Sequence, residues 1–189
     1  MKVICIAGKA GSGKDTVGQM LSDAYRGAGY SVLVAHFADL VKYVCKTFFN
    51  WDGEKDEYGR GLLQMVGTDI VRAKDPDYWA NFIRDVLTFF PELYDYVIIP
   101  DCRFPNELEV MRGDNLALLL RVTRPGHAST LTDEQKNHQS EVALDGILAD
   151  IEFVNDASGL QELKSKIPEL VKNIDEKFID IFVDMVLSA

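Results

Sequence analysis

Nine consecutive residues, Gly8-Lys9-Ala10-Gly11-Ser12-Gly13-Lys14-Asp15-Thr16, constrain this chain more than any others. They satisfy the pattern GxxxxGK and directly follow a short apolar run, Val3 to Ala7. They directly precede a helical pattern in which Val17, Met20, Leu21, Ala24 and Tyr25 repeat at i, i+3, i+4, i+7 and i+8. Strand, glycine loop and helix in that order make an anion cradle. Glycines let successive backbone N–H groups converge on oxygen atoms, and the helix N-terminus adds favourable partial charge. Lys14 then brings a point charge to the β- and γ-phosphates of a nucleotide. The bland alternative is an ordinary glycine-rich turn, but a chance match arises only on the order of a few per cent of the time. The expected nucleotide-binding residues are Gly8, Ala10, Gly11, Ser12, Gly13, Lys14, Asp15 and Thr16.

The rest of the chain agrees with an α/β fold. Val3–Ala7, Ser31–Phe37, Tyr96–Pro100, Leu116–Val122 and Ile151–Val154 read as five strands. Their near-continuous Val/Ile/Leu content suits a parallel sheet flanked by helices on both faces. The first helix ends near Gly27 and Gly29, which gives a short β-α-β crossover. Residues 1–189 read as one domain, with a core of 1–37, 96–122 and 151–189. A mostly helical insertion spans 38–95 and a lid region spans 123–140. Within the insertion, Tyr78, Trp79, Phe82, Ile83, Val86, Leu87 and Phe90 mark an amphipathic helix closed by Pro91, and residues 50–61 read as a mobile loop. The C-terminal part, 160–187, is helical, with Pro168 as a boundary or kink. Its stripe is widened by Ile179, Val183, Val186 and Leu187, either as core or as a homodimer contact.

Composition narrows the partners. Twenty Lys+Arg against thirty Asp+Glu leave a net charge of −10, which argues against a nucleic-acid polymer or an anionic membrane as the main partner. A small phosphate ligand in a local cradle remains compatible with that acidity. Cys5, Cys45 and Cys102 are odd in number and lack CxxC spacing, so a disulfide framework and a thiolate zinc site are not expected. Cys5 and Cys102 read as small hydrophobes. No apolar stretch approaches the roughly 20 residues of a membrane span, and Met1-Lys2 leads straight into a strand. The expectation is a cytoplasmic chain.

Several side chains are candidates for chemistry. Asp15 stands where such loops usually carry Ser or Thr on Mg²⁺. A carboxylate there repels a triphosphate without a cation and favours it with one, so Asp15 is expected to hold Mg²⁺ directly or through water. Asp101, ending the third strand, can reach the same metal or act as a hydrogen-bond organiser, and Arg103 can reach a phosphate. A strand-ending Asp capping the helix near Pro105 is the structural alternative. In the insertion, Ala38, Asp39, Lys42, Gln64 and Arg72 are candidates for a second ligand, with Arg72 and then Lys42 preferred for its phosphate. Trp79 can stack on a base, although its amphipathic stripe also suits core packing. After the fourth strand, Arg124 is preferred over Arg121 as a lid arginine, and His138, Ser140 and Glu141 are candidates to face the acceptor. Lys14, Arg103, Arg124 and Asp101 form the expected catalytic set.

The segments GKAGSGKDT, FADLVK, LLQMVGTDIVR followed by DPDYW, VIIPDCRFPNE and HQSE occur in that order, and the chain thereby resembles phage-type deoxynucleoside monophosphate kinases. The resemblance implies a P-loop kinase fold with a five-stranded parallel sheet, a helical substrate-binding insertion and an arginine-bearing lid. It also implies ATP and Mg²⁺ as cosubstrates, a deoxynucleoside monophosphate as acceptor, and a homodimer. Phosphomevalonate and dephospho-coenzyme A kinases share parts of this layout. A nucleotide-binding regulator without transfer chemistry is the rival from another class.

Overall fold

A computed structural model describes residues 1–127 and 131–188; of the 123–140 region, residues 128–130 lie outside the described residues. Five strands, β1 (Lys2–Ala7), β2 (Val32–Val34), β3 (Tyr96–Ile99), β4 (Leu116–Thr123) and β5 (Ile151–Val154), form one sheet in the order β2-β3-β1-β4-β5. Every pairing is parallel, with Lys2 opposite both Tyr96 and Leu116. The chain fills one side of β1 and then crosses to the other, so the carboxyl end of β1 is the switch point where such sheets bind ligands. β2 is shorter than the expected Ser31–Phe37. The ladder bonding closes at Ala35, whose N–H donates to Ile98 O at 3.0 Å, and the chain then turns into a helix.

The helices are α1 (Lys14–Gly27), α2 (Ala38–Phe48), α3 (Glu57–Gln64), α4 (Tyr78–Phe89), α5 (Pro105–Asp114), α6 (Asp133–Asn137), α7 (Gln139–Val142) and α8 (Leu160–Ser188), with a π-helical segment, Met65–Arg72, continuing α3. One face of the sheet, with Ile4, Ile6, Ile98 and Leu120, packs against Val17, Leu21 and Tyr25 of α1 and against Ile167, Leu170 and Ile174 of α8. The other face, with Val3, Cys5, Val97 and Leu119, packs against Ala80 and Leu87 of α4 and Leu108 and Met111 of α5. A third cluster lies within residues 38–95 and joins Val41, Cys45, Trp51, Leu62, Val66 and Trp79. All three cysteines are buried and free.

Two local expectations change. Residues 50–61 are not a continuous loop, because α3 begins at Glu57, where the Asp56 carboxylate accepts from Gly59 N at 2.7 Å as an N-cap. Trp51 is buried and anchors the preceding turn, donating its indole N–H to Glu54 O at 2.9 Å. Pro168 does not end the C-terminal helix. α8 runs through it for 29 residues, held by a buried stripe of Leu163, Ile167, Leu170, Ile174 and Phe178 on both sides of the proline. That stripe stops at Phe178; Ile179, Phe182, Val183, Met185, Val186 and Leu187 are exposed and contribute nothing to the core. Among the described residues no helix is long and apolar enough to cross a membrane.

Candidate active site

The loop after β1 is held open from outside. Gly13, the N-cap of α1, has φ 89°, a left-handed conformation that a side chain would strain. Ser12 N donates to Lys9 O at 3.1 Å, and Ser12 O accepts from Asn155 Nδ2 at 2.9 Å, just past β5. Among the described residues the buried Ser12 hydroxyl has no hydrogen-bond partner, as expected of a loop shaped for a ligand. Lys9 points away from the cradle, its ammonium bonded to Glu141 O at 2.6 Å and to Asp145. His127 lies against Gly11, where an added Cβ would sit 2.2 Å from Nε2. Thr16 stands in the first turn of α1.

Lys14 is buried, and that burial lowers the pKa of its ammonium, helped by the nearby Arg103 charge and opposed by Asp15, Glu141 and Asp101. Its Nζ lies 3.9 Å from Asp15 Oδ2. Asp15 is mostly exposed and faces His36, whose Nε2 is 3.8 Å from Oδ1, while His36 Nδ1 is 3.4 Å from Asp39 Oδ2. The imidazole beside it holds the Asp15 carboxyl below its usual range, and Asp15 in turn raises His36. Asp101 is buried at the end of β3. Its Oδ1 accepts from Phe37 N at 2.9 Å and its Oδ2 from Ala38 N at 3.0 Å. It therefore caps α2, not the helix near Pro105. Among the described residues, no group of three or more His, Cys, Asp or Glu stands ready to hold a metal.

A cavity of about 280 Å³ opens beside Lys14 and Asp15. Its far wall comes from the insertion: Ala38, Lys42, Gln64 and Arg72 line it, joined by Lys55 and Arg60. Two of these cations are already engaged. Lys42 Nζ bonds Asp39 Oδ1 at 2.8 Å, and Arg72 bonds the buried Glu107 carboxylate. Arg60 gives its Nε–H to Lys55 O at 2.9 Å and makes no ion pair in the described structure, nor does Lys55. Trp79 borders the cavity but belongs to the third cluster, 2% exposed, with its indole N–H donated to Gly67 O at 2.8 Å. Asp39 lies outside the cavity wall and acts on it through His36 and Lys42.

A second cavity, about 520 Å³, lies between the loop, the end of β4 and α7. Arg124 and His127 line it from the 123–127 turn. Arg121 lines it too, but its guanidinium is spent on Leu144 O at 2.7 Å and Ile147 O at 2.6 Å. The two cavities share Arg103, Ser140 and Glu141. Arg103 pairs with the Glu141 carboxylate and donates to Ser140 O at 3.1 Å, while Glu141 Oε2 accepts from Ala10 N at 3.3 Å. Glu141 thus bridges the cradle and Arg103. His138 lines neither cavity; its Nδ1 accepts from Ser140 N at 3.2 Å, and Nε2 is 3.5 Å from Asp69 Oδ1.

Sequence reasoning missed His36, Lys55, Arg60, Glu107 and Asn155. Glu107 was visible in the RFPNE segment, and Arg60 stands four residues before Gln64, one helical turn away on the same face. Nothing local marks His36 or Asn155.

Comparison with known proteins fits this geometry. Among solved structures, a cysteine-to-alanine variant of the Mycobacterium tuberculosis APS kinase CysC superposes with a TM-score of 0.51 at 13% identity, over 92% of this chain and 96% of that one. A sugar kinase from Janibacter sp. HTCC2649 does so with a TM-score of 0.53 at 15% identity, over 92% and 94%. At these identities the likeness is one of fold. The deoxynucleotide monophosphate kinase of enterobacteria phage T4 is 39% identical over 115 residues, 60% of this chain and 45% of that protein, so the chain spans about half the length of this relative. The sequence model of the deoxynucleotide monophosphate kinases matches residues 37–167, well over half of the chain, which belongs to that family.

Proposed function

We propose that the protein is a phosphotransferase that moves the γ-phosphoryl group of ATP onto a deoxynucleoside monophosphate. The observation that carries this reading is the cavity beside Lys14, walled by cations of the insertion and joined to the cradle through Arg103. A nucleotide-binding regulator has no use for a second cation-lined pocket there. The acceptor phosphate lies on the wall of Arg60, Lys55 and Arg72, and its base reaches toward Gln64 and Thr68. The donor phosphates take the cradle N–H groups, the Ser12 hydroxyl and Lys14. A phosphate oxygen of the acceptor is anionic near neutral pH, so transfer needs alignment and charge neutralisation more than a strong base. Asp101 therefore serves as an organiser that fixes the start of α2 beside the cradle.

Mg²⁺ fits these residues. It is commonly held by one or two carboxylates plus substrate phosphates, and Asp15, exposed in the first turn of α1, is that carboxylate here. Bound with the nucleotide, the ion supplies charge neutralisation between the phosphates. His36, with Nε2 3.8 Å from Asp15 Oδ1, favours the charged form of that carboxylate. Arg103, between the cavities, and Arg124, on the lid side, stabilise charge on the transferred group. In the same reading the exposed apolar end of α8 is the contact of a homodimer.

The test is ADP formation from ATP and Mg²⁺ with each common deoxynucleoside and ribonucleoside monophosphate, and with phosphomevalonate and dephospho-coenzyme A as contrasts. Turnover dependent on one or more deoxynucleotides is expected. Turnover only with a contrast substrate keeps the kinase and discards the nucleotide acceptor, and ATP binding without acceptor-dependent turnover favours the regulator.

A further inference from the structure

Glu107 is the most buried acidic side chain described here, 1% exposed, and the chemistry above does not use it. Its surroundings explain why a carboxylate stands there. One oxygen, Oε1, takes an N–H of Arg72 from the π-helical segment. The other accepts from the backbone N–H groups of Arg103 at 2.7 Å and Phe104 at 3.1 Å. Arg72 is fixed in two further ways: its Nη1 donates to Pro76 O at 3.0 Å, and its guanidinium lies 4.2 Å above the centre of the Phe104 ring. Asn106 stitches the same two segments together, donating to Pro76 O at 2.9 Å and Asp77 Oδ1 at 2.7 Å.

We propose that Glu107 is a positioning residue for the acceptor, setting the direction of the Arg72 guanidinium toward the cavity and fixing the backbone from which Arg103 projects. The inference rests on the reading of that cavity as the acceptor site. A guanidinium has five N–H groups, and Glu107 and Pro76 take two of them. With two N–H groups bonded and one face stacked, the guanidinium is held in one orientation beside the space that Arg72 lines, with three N–H groups left over. Without the carboxylate, Arg72 would share a low-dielectric wall with Arg103 and Lys14 and turn away from them. The energetic role of Glu107 is then preorganisation: the rotamer entropy of a long cationic side chain is lost on folding and not on binding. Burial raises the Glu107 pKa, opposed first by Arg72 and then by the two amides.

The experiment compares wild type with Glu107→Gln and with the paired variant Glu107→Leu/Arg72→Met. Wild-type turnover on the acceptor panel is measured first; its absence overturns the acceptor reading itself. With turnover established, Glu107→Gln is expected to raise the acceptor KM about ten- to hundredfold, the range of one charge-assisted hydrogen bond. The KM for ATP stays within about twofold. The paired variant removes both charges together, so its melting temperature is expected to return toward wild type while its acceptor KM stays high. An unchanged acceptor KM in Glu107→Gln overturns the proposal, and so does a parallel rise in both KM values. Should Glu107→Gln fail to fold, the paired variant decides, and a wild-type acceptor KM there overturns the proposal. Independently of turnover, titration with inorganic phosphate is expected to shift the Arg72 Nε–H nuclear magnetic resonance signal in wild type and not in Glu107→Gln. Equal shifts in the two proteins overturn it.

Discussion

In the proposed reaction, Asp15 concentrates the chemistry of the site in one position. A hydroxyl there would be neutral toward phosphate whether or not a metal is present, whereas a carboxylate 3.9 Å from Lys14 makes the cradle poorer for a bare triphosphate and better for a metal-bound one. Asp15→Ser is expected to narrow the gap between ATP affinity with Mg²⁺ and with EDTA by about tenfold or more, chiefly by strengthening metal-free binding. Calorimetric titration of both proteins under both conditions checks this, and equal metal dependence would remove Asp15 from the metal's surroundings. The residue could be singled out in the sequence because its neighbours along the chain define its place. His36 could not, and for Glu107 the RFPNE segment marks the position but not the partner. His36 acquires its role from Asp15, 21 positions away, and Glu107 from Arg72, 35 positions away. No periodicity records a contact of that kind.

Elements were legible where one physical signal governed them. The strands announced themselves through continuous apolar runs because the sheet is buried on both faces. β2 was overread, since His36 and Phe37 continue the run but belong to the turn that Asp101 caps. The π-helical segment was illegible: a shift from i→i+4 to i→i+5 bonding leaves the apolar pattern of residues 62–72 almost unaltered. At the opposite end of the sheet from the site, α1, β3 and α8 are joined by a polar contact. The hydroxyls of Tyr25 and Tyr96 both donate to Asp175 Oδ1, at 3.1 and 2.9 Å, with their rings stacked 4.0 Å apart. Burial is the first cause, and Asp175 the next, of a pKa above the usual tyrosine range for both phenols. The folded protein therefore holds these protons more tightly than the unfolded chain. Their contribution to stability is complete below about pH 10, where an unfolded tyrosine titrates, and is lost as pH rises further. The urea midpoint of wild type is expected to fall between pH 9 and 11 more steeply than that of Tyr25→Phe/Tyr96→Phe. Parallel pH profiles would show that the pair does not couple folding to protons.

At the scale of the whole molecule, an acidic protein keeps several of its cavity cations close to carboxylates, Lys42 with Asp39, Arg72 with Glu107 and Arg103 with Glu141, and leaves Arg60 and Lys55 outside any ion pair in the described structure. The net charge of −10 argues against polymers and membranes as main partners and is still compatible with a phosphate site, since such a site is local. Parallel pairing has a further effect, on the order in which the protein can be made. Lys2 on β1 lies beside Tyr96 on one flank and Leu116 on the other, so the strand that carries the cradle acquires its neighbours only after most of the chain exists. Contacts this distant in sequence are slow to close and cannot be anticipated by local structure. Residues 1–95 carry a complete GKAGSGKDT motif and neither of the strands that flank β1. A fragment of residues 1–95 is therefore expected to show no ATP binding by fluorescence titration and no cooperative melt. Retained affinity would mean that the loop and α1 assemble alone. For a growing chain, the strand that carries the loop has both of its sheet neighbours only once β4 has been added.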